Sequence, residues 1–160
     1  MKRKITAAIL LCAILIVLLA GCSSGPNNRP SMSPGASAFA VTGSCKAELN
    51  GSTLTVSGTS NIADGTLGTI SVYGANGKQI ELVSVTKSGD NLKHDFTVTA
   101  QWPDQVYGFI TFDTYQAGTQ PQNIQDLYGS KFENLQGQNV NWDTSHGVAA
   151  VFQSDLVKVR

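Results

Sequence analysis

Cysteine and histidine are the side chains best suited to nucleophilic, acid–base or metal chemistry, and this chain of 160 residues has three of the former and two of the latter. Cys22 has the most distinctive context, because it closes a Leu-Ala-Gly-Cys run. Three basic residues at positions 2–4 and a nearly unbroken apolar stretch from residue 5 to residue 20 come before that cysteine. A bilayer span needs roughly 20 apolar residues, so this shorter stretch is typical of a signal peptide. The sequence therefore predicts a signal peptide over residues 1–21.

The run that ends at Cys22 resembles the lipobox of bacterial lipoproteins. The resemblance implies that the Cys22 thiol receives a diacylglycerol group, that a signal peptidase cuts between Gly21 and Cys22, and that the new amino terminus is then acylated, as with palmitate. Two or three acyl chains hold a protein stably on a bilayer. The resemblance thus implies an extracytoplasmic protein anchored to the cell membrane. Because Ser23 is not the Asp that retains some lipoproteins at an inner membrane, an outer membrane is also allowed.

Residues 22–37 are predicted to be the lipidated cysteine and a flexible tether. The stretch from Ser23 to Ser37 holds three prolines and two glycines and shows no apolar periodicity. As a coil, such a segment spans roughly 20 Å, and fully extended it reaches about 50 Å at most. We therefore expect the folded domain to occupy residues 38–160 and to be held away from the lipid headgroups.

Composition excludes several classes of function for this domain. Without the three basic residues at the start, the chain has 11 − 3 = 8 basic side chains against 11 acidic ones, and they are scattered. No nucleic-acid partner is therefore expected. If Cys12 leaves with the signal peptide and Cys22 carries lipid, Cys45 stands alone, and neither an internal disulfide nor a thiolate zinc site can form. The sequence also lacks a phosphate-binding loop, a metal-binding motif and paired carboxylates, so we expect no cofactor and no metal.

Alternation of apolar and polar residues predicts strands through most of the domain. Asn-Gly pairs at residues 50–51 and 76–77 predict two hairpins, the first with Leu49 opposite Ser52 and with Cys45 on the core face. Ser88–Asn91 predicts a turn and a third hairpin. Gln105–Asp113 is apolar on both faces, which favours a position in the middle of a sheet. Seven or so such strands indicate an all-β fold, an antiparallel β-sandwich that is stabilised by packing and stays monomeric.

Residues 114–147 interrupt the strand pattern. Pro121 followed by Ile124, Leu127 and Tyr128 predicts a short helix, and Phe132 and Leu135 continue its apolar stripe. A segment of this length is usually functional or disordered, so it is either a recognition segment or a plug over one open end of the sandwich. After it, residues 148–159 are expected to form the closing strand, with a bulge near Gln153.

The stretch from Leu54 to Asp113, with its Gly-Thr-Ser-Asn-Ile-Ala-Asp-Gly-Thr segment, resembles secreted immunoglobulin-like and transthyretin-like domains of bacteria. This resemblance is loose and covers roughly 60 residues. It implies the sandwich fold but supplies no catalytic or ligand-binding motif.

Four residues are the best candidates for a binding site: Trp102, Trp142, His146 and Tyr128. Aromatic side chains could form a platform for a glycan or a peptide, although buried core positions are the commoner place for them. Besides Trp102, Trp142 and Tyr128, the rings that could contribute are Tyr107, Phe109 and Tyr115. Trp102 and Trp142 are preferred because they lie beside polar loop residues. The grouping of Asp143, Ser145 and His146 also invites comparison with a catalytic triad, but no nucleophile elbow accompanies it, and we predict no catalytic residue. Asp residues in turns leave a weak calcium site as an open alternative.

The preferred interpretation is a lipid-anchored, non-enzymatic binding or structural module of the cell envelope. Its expected partners are the membrane, through the diacylglycerol group, and an envelope protein, peptidoglycan or another glycan, or a secreted substrate. The alternative is a small extracytoplasmic hydrolase or inhibitor that acts through residues 114–147. Joint exposure of Trp102 and Trp142 would favour the binding module, whereas a shared pocket containing Asp143 and His146 would favour the enzyme.

Overall fold

The structure of the protein is a computed structural model that describes residues 31–32, 35–143 and 147–160. Over those residues it contains eleven strands and one short helix. In chain order they are β1 (Phe39–Ala40), β2 (Gly43–Asn50), β3 (Thr53–Ser60), β4 (Leu67–Gly74), β5 (Gln79–Thr86), β6 (Asn91–Thr97), β7 (Gln105–Phe112), α1 (Gln122–Tyr128), β8 (Leu135–Gln136), β9 (Val140–Asp143), β10 (Gly147–Gln153) and β11 (Val157–Lys158).

The strands form two antiparallel sheets and one small parallel pair. The larger sheet has six strands in the order β5-β4-β7-β10-β9, and β11 pairs with β7. The smaller sheet has three strands in the order β2-β3-β6, and β1 pairs with β8 in parallel. The predicted all-β sandwich fold with a short helix is therefore confirmed. The central position predicted for Gln105–Asp113 is also confirmed, because β7 lies between β4 and β10.

The two sheets pack closely because glycine replaces side chains where they meet. A Cβ atom added to Gly108 on β7 would lie 2.8 Å from Val56 Cγ2 and 3.3 Å from Ala47 Cβ on the smaller sheet. Such a contact is too short for van der Waals packing, so only glycine fits there. Cys45 donates its thiol hydrogen to the Gly108 carbonyl at 3.5 Å and packs against the core, as the sequence predicts for a small core residue.

The first hairpin forms, but its register differs from the predicted one. Leu49 pairs with Leu54 rather than with Ser52, so the two-residue loop is Gly51-Ser52 and not Asn50-Gly51. Gly51 has φ 60°, whereas Ser52 does not have positive φ. A type I′ turn needs positive φ at both central residues, and a type II′ turn needs it only at the first, where glycine is preferred. The resulting shift of two residues leaves every side chain on its predicted face.

The predicted third hairpin at Ser88–Asn91 is wrong. The strand before this turn, β5, pairs with β4 in the larger sheet, whereas β6 pairs with β3 in the smaller one. The turn therefore carries the chain from one sheet to the other. A buried Lys87 fixes it: its Nζ lies 3.1 Å from Asp64 Oδ1, and the Gly89 N–H donates to both oxygens of the same carboxylate. These contacts hold the pKa of Asp64 below its usual value, with the Gly89 N–H as the first cause.

Residues 121–135 fill part of the core beside the Ser60–Leu67 connection. Ile124, Phe132 and Leu135 are fully buried, and Tyr128 is 2% exposed. The prediction that Leu127 belongs to the same apolar stripe is wrong, since it is 53% exposed. The helix ends at Tyr128, and Phe132 reaches the core from a turn in which its own φ is 58°. This part of residues 114–147 is thus built into the core.

The closing strand predicted over residues 148–159, with a bulge near Gln153, is two strands, β10 and β11, with a break after Gln153. Pairing of β10 with β7 ends at Gln153 opposite Phe109, and β11 resumes it with Val157 opposite Val106. Between the two strands, the Gly108 N–H donates to Ser154 Oγ at 2.9 Å, and the Ser154 N–H donates to the Gly108 carbonyl at 2.9 Å. A serine hydroxyl thus replaces a backbone carbonyl at the break in the strand.

Candidate functional site

The larger sheet has two faces with different side chains. We call the side toward the smaller sheet the inner face and the opposite side the outer face. Along β7, Val106, Ile110 and Phe112 are fully buried on the inner face, while Tyr107 and Phe109 are half-buried on the outer face. Successive side chains of a strand alternate between faces, and residues paired across two strands share a face. On β4, Thr69 and Ser71 therefore lie on the outer face with Thr111 and Phe109, and both are buried there. In the part of the chain that the structure describes, no element covers the outer face as the smaller sheet covers the inner one.

An aromatic patch lies on the outer face where β4 and β7 meet. It consists of Tyr73, Tyr107 and Phe109. Tyr73 and Phe109 meet edge-to-face with ring centroids 5.2 Å apart, and Tyr107 and Phe109 do so at 6.4 Å. The Tyr73 hydroxyl donates to Gln79 Oε1 at 2.7 Å, which fixes the direction of that ring. Edge-to-face packing of this kind stabilises the patch and leaves ring surface available to a partner.

A depression of about 220 Å³ adjoins the patch on the same face. Its floor is formed by outer-face residues of β7, β10 and β9, and its wall by the residues that follow β7. The lining residues are Thr111, Asp113, Tyr115, Gln116, Asn141, Gly147, Ala149 and Val151. Tyr115 is 60% exposed at its rim. The volume is below the range of about 300–1,000 Å³ that is usual for drug-sized ligands, so the depression suits one small ring.

Asp113 organises the wall of this depression. Its side chain is buried, and Oδ1 accepts the backbone N–H groups of Tyr115, Gln116 and Ala117 at 2.9, 2.7 and 3.0 Å. Three charge-assisted bonds to one oxygen hold both the carboxylate and the loop in a defined orientation. No described residue donates to Asp113 Oδ2.

Gln120 fixes the other end of the same loop. Its Nε2 donates to the carbonyls of Leu67 and Asp113 at 2.9 and 2.7 Å, and its Oε1 accepts the Leu67 N–H at 2.9 Å. The side chain is buried, so each of these bonds is shielded from water. The loop that carries Tyr115 and Gln116 is therefore positioned at both ends before any partner arrives.

The three described residues among those predicted for a binding site, Trp102, Tyr128 and Trp142, do not form an exposed surface together. Trp102 is 4% exposed and Tyr128 is 2% exposed, so both belong to the core. The Tyr128 hydroxyl accepts the Ala63 N–H at 2.7 Å, which gives that ring a structural role, and burial is the first cause that raises its pKa. Trp142 pairs with Val148 on the inner face and packs against the core. Joint exposure of Trp102 and Trp142 is thus not found.

Two of the predicted functional residues lie outside the described ranges. They are Cys22, the expected site of lipidation, and His146. The hydrolase or inhibitor alternative depends on His146, so it stays a prediction. Within residues 35–143 and 147–160, no three His, Cys, Asp or Glu side chains are arranged to hold a metal ion. None of the described residues belongs to a helix that is long and apolar enough to cross a membrane.

The depression and the aromatic patch contain residues that the sequence interpretation named and residues that it did not. Tyr107, Phe109 and Tyr115 are among the rings named there for a possible platform, whereas Tyr73 and Asp113 are not. Three residues that line the depression, Tyr115, Gln116 and Asn141, belong to residues 114–147. Asp113 carries no motif and is visible as a site residue only through its contacts. The alternation within β7 was the available signal, since Tyr107 and Phe109 are opposite in phase to the buried aliphatic residues.

Searches against protein-family models, curated proteins and solved structures find no match for this chain. The resemblance to immunoglobulin-like and transthyretin-like domains therefore stays a prediction.

Proposed function

We propose that this protein is a lipid-anchored, extracytoplasmic binding module without enzymatic activity. Cys22 is its attachment point, and residues 22–37 are a tether that lets the domain reach a component of the cell envelope. The outer face of the larger sheet, at the depression and the aromatic patch, is the surface that makes this contact.

One observation carries the proposal: the outer face holds half-buried rings and an uncovered depression, while the inner face of the same strands is fully used in packing. Rings that no other element covers mark interaction surfaces more often than rings inside a core. Asp113 and Gln120 fix the adjoining loop, so a partner would not have to order it. Preorganisation of this kind lowers the entropic cost of binding.

The lipid anchor has a direct test. In cells supplied with an alkyne-bearing fatty acid, the wild-type protein should take up the label, and a Cys22→Ala variant should not. Cys12 and Cys45 provide internal controls, because Cys12→Ala and Cys45→Ala should leave labelling unchanged. A Cys22→Ala protein that still carries the label would rule out this anchor.

Envelope binding is tested by co-sedimentation of the full chain, kept in mild detergent, with isolated envelope material. The wild type should sediment, and Tyr115→Ala should lose most of that binding. Leu127→Ala is the matched control, since Leu127 is a similarly exposed side chain of the same segment that lies on α1. Equal sedimentation of both variants, at equal melting temperatures, would contradict a binding role for the outer face.

A further inference from the structure

We propose that the depression beside Tyr115 binds one ring of an uncharged saccharide, with Asp113 Oδ2 as the acceptor for ligand hydroxyl groups. This inference rests on the proposed binding function and names the chemical class of the ligand. An envelope glycan is the macromolecule that would present such a ring.

The Asp113 carboxylate favours a ligand that carries hydrogen-bond donors. Because Oδ1 accepts three backbone N–H groups, the carboxylate is held in one orientation, and no described residue donates to Oδ2. An ionised carboxylate only accepts hydrogen bonds, so the ligand must bring O–H or N–H donors. Fixing an acceptor in advance favours ligands whose donors match its direction.

The amide side chains of Gln116 and Asn141 favour a ligand that both donates and accepts hydrogen bonds. Gln116 and Asn141 line the depression, both are exposed, and neither amide bonds to a residue in the described part of the chain. Each amide offers two donor hydrogens and an acceptor oxygen. A ligand that satisfies the amides as well as the carboxylate must carry donors and acceptors together. Hydroxyl groups do both, whereas an ammonium group only donates.

The charge and the shape of the depression favour an uncharged ligand with a single ring. None of the described residues that line the depression is a lysine or an arginine, so none of them would neutralise a phosphate or a carboxylate, and Asp113 would repel one. Tyr115 presents an exposed ring at the rim, on which the C–H face of a sugar can lie. The volume of about 220 Å³ limits the occupant to a single ring at a time.

The test is a binding titration of the full chain in mild detergent against a panel of short oligosaccharides. The panel holds uncharged gluco-, galacto-, manno- and N-acetylglucosamine oligomers, together with the amine-bearing and carboxylate-bearing counterparts of each. We expect at least one uncharged series to bind and its carboxylate-bearing counterpart not to bind. Binding only of the amine-bearing series would assign the site to a cation and overturn the saccharide proposal.

Asp113→Asn is the decisive variant, because asparagine keeps one oxygen for the three backbone N–H groups and replaces the other with a donor. We expect it to weaken saccharide binding roughly tenfold or more while the melting temperature changes little. Unchanged affinity would overturn the role given to Oδ2. If Asp113→Asn does not fold, Asn141→Ala takes its place, because that side chain is exposed and its loss should weaken binding without unfolding the protein.

Different results would reject the saccharide ligand and the binding module. Tyr115-dependent binding to envelope material without binding to any uncharged saccharide would reject the saccharide and keep the binding module. Absence of envelope binding by the wild type would reject the binding module itself.

Discussion

The inner and outer faces of the six-stranded sheet are built from alternate residues of the same strands, yet their side chains have different surroundings. On the inner face, Ile70, Ile110 and Phe112 are fully buried against the smaller sheet. On the outer face, Tyr107 and Phe109 are only half-buried although they are just as apolar. Apolar side chains on both faces of a strand usually mean that both faces are covered. In the part of the chain that the structure describes, only the inner face is covered by a second sheet.

Residues 114–147 divide in the same way. Ile124, Phe132 and Leu135 belong to the core, whereas Tyr115 and Asn141 line the depression. The part with Ile124, Phe132 and Leu135 is built into the core, and the recognition role proposed for this segment concerns only the residues at the depression. Substitutions should separate the two: changes in the core part should alter stability, and changes at the depression should alter binding.

The largest expected effect is on stability, at the closest approach of the two sheets. Gly108→Ala should lower the free energy of unfolding by about 3 kcal/mol, the upper part of the range for overpacking, because the new methyl group would contact Val56, whose branched side chain has little freedom. Thr111→Ala, on the outer face of the same strand, is the control and should cost less than about 1 kcal/mol. Urea denaturation measures both. Equal losses of unfolding free energy in the two variants would show that the inner face is packed no more tightly than the outer face.

The next effect concerns the core part of residues 114–147. Tyr128→Phe removes the oxygen that accepts the Ala63 N–H at 2.7 Å and leaves that donor unpaired. We expect a loss of about 2 kcal/mol, the usual cost of a buried group without a hydrogen bond. Leu127→Ala, one residue away on the exposed side of α1, should change stability by less than about 0.5 kcal/mol. A Tyr128→Phe variant that is as stable as the wild type would show that the hydrogen bond from Ala63 contributes little to the free energy of unfolding.

A smaller effect is expected in alkaline solution. Burial raises the pKa of Cys45 from 9.0 to about 12, so the thiol stays protonated in the folded protein after it has ionised in the unfolded chain. The free energy of unfolding should therefore fall as the pH rises from 9.0 towards about 12. Cys45→Ala should flatten this part of the profile. The thiol should also react slowly with a thiol reagent below pH 9.0 until the protein is denatured. Fast reaction of the native protein would place Cys45 at the surface.

The smallest expected effect on stability is at the depression, where Asp113 has two functions. Asp113→Asn keeps an acceptor for Tyr115, Gln116 and Ala117 and should change the melting temperature little, whereas Asp113→Ala leaves all three N–H groups without that acceptor and should lower it further. Thermal unfolding followed by circular dichroism checks the order. The reverse order, with alanine the more stable, would show that these bonds do not hold the loop.

Much of the fold could be predicted from local patterns. Apolar residues on both faces of residues 105–113 predicted a central strand, and Pro121 with Gly129 predicted the limits of a short helix. The register of the first hairpin depended on whether Gly51 took the first or the second turn position, which the Asn-Gly pair did not determine. Which of the two sheets β6 joins depends on packing between the sheets, and no local sequence pattern encodes it.

The candidate site was less predictable than the fold. Trp102 and Trp142 were favoured because they adjoin polar residues, but burial of a ring depends on what the rest of the chain places over it. The depression brings together residues from β7, β9 and β10 that are distant in sequence. Asp113 follows a strand without any motif. Its importance lies in three hydrogen bonds that only the folded loop creates.

The outer face as the contact surface is tested most directly by photo-cross-linking in cells. A photo-reactive benzoylphenylalanine replaces Tyr115 in one variant and Leu127 in another, so that both probes are carried by residues 114–147 of the same anchored protein. Irradiation should produce an adduct with an envelope component from position 115 and none from position 127. An adduct from position 127 alone, equal adducts from both positions, or no adduct from position 115 would contradict the proposed use of the outer face.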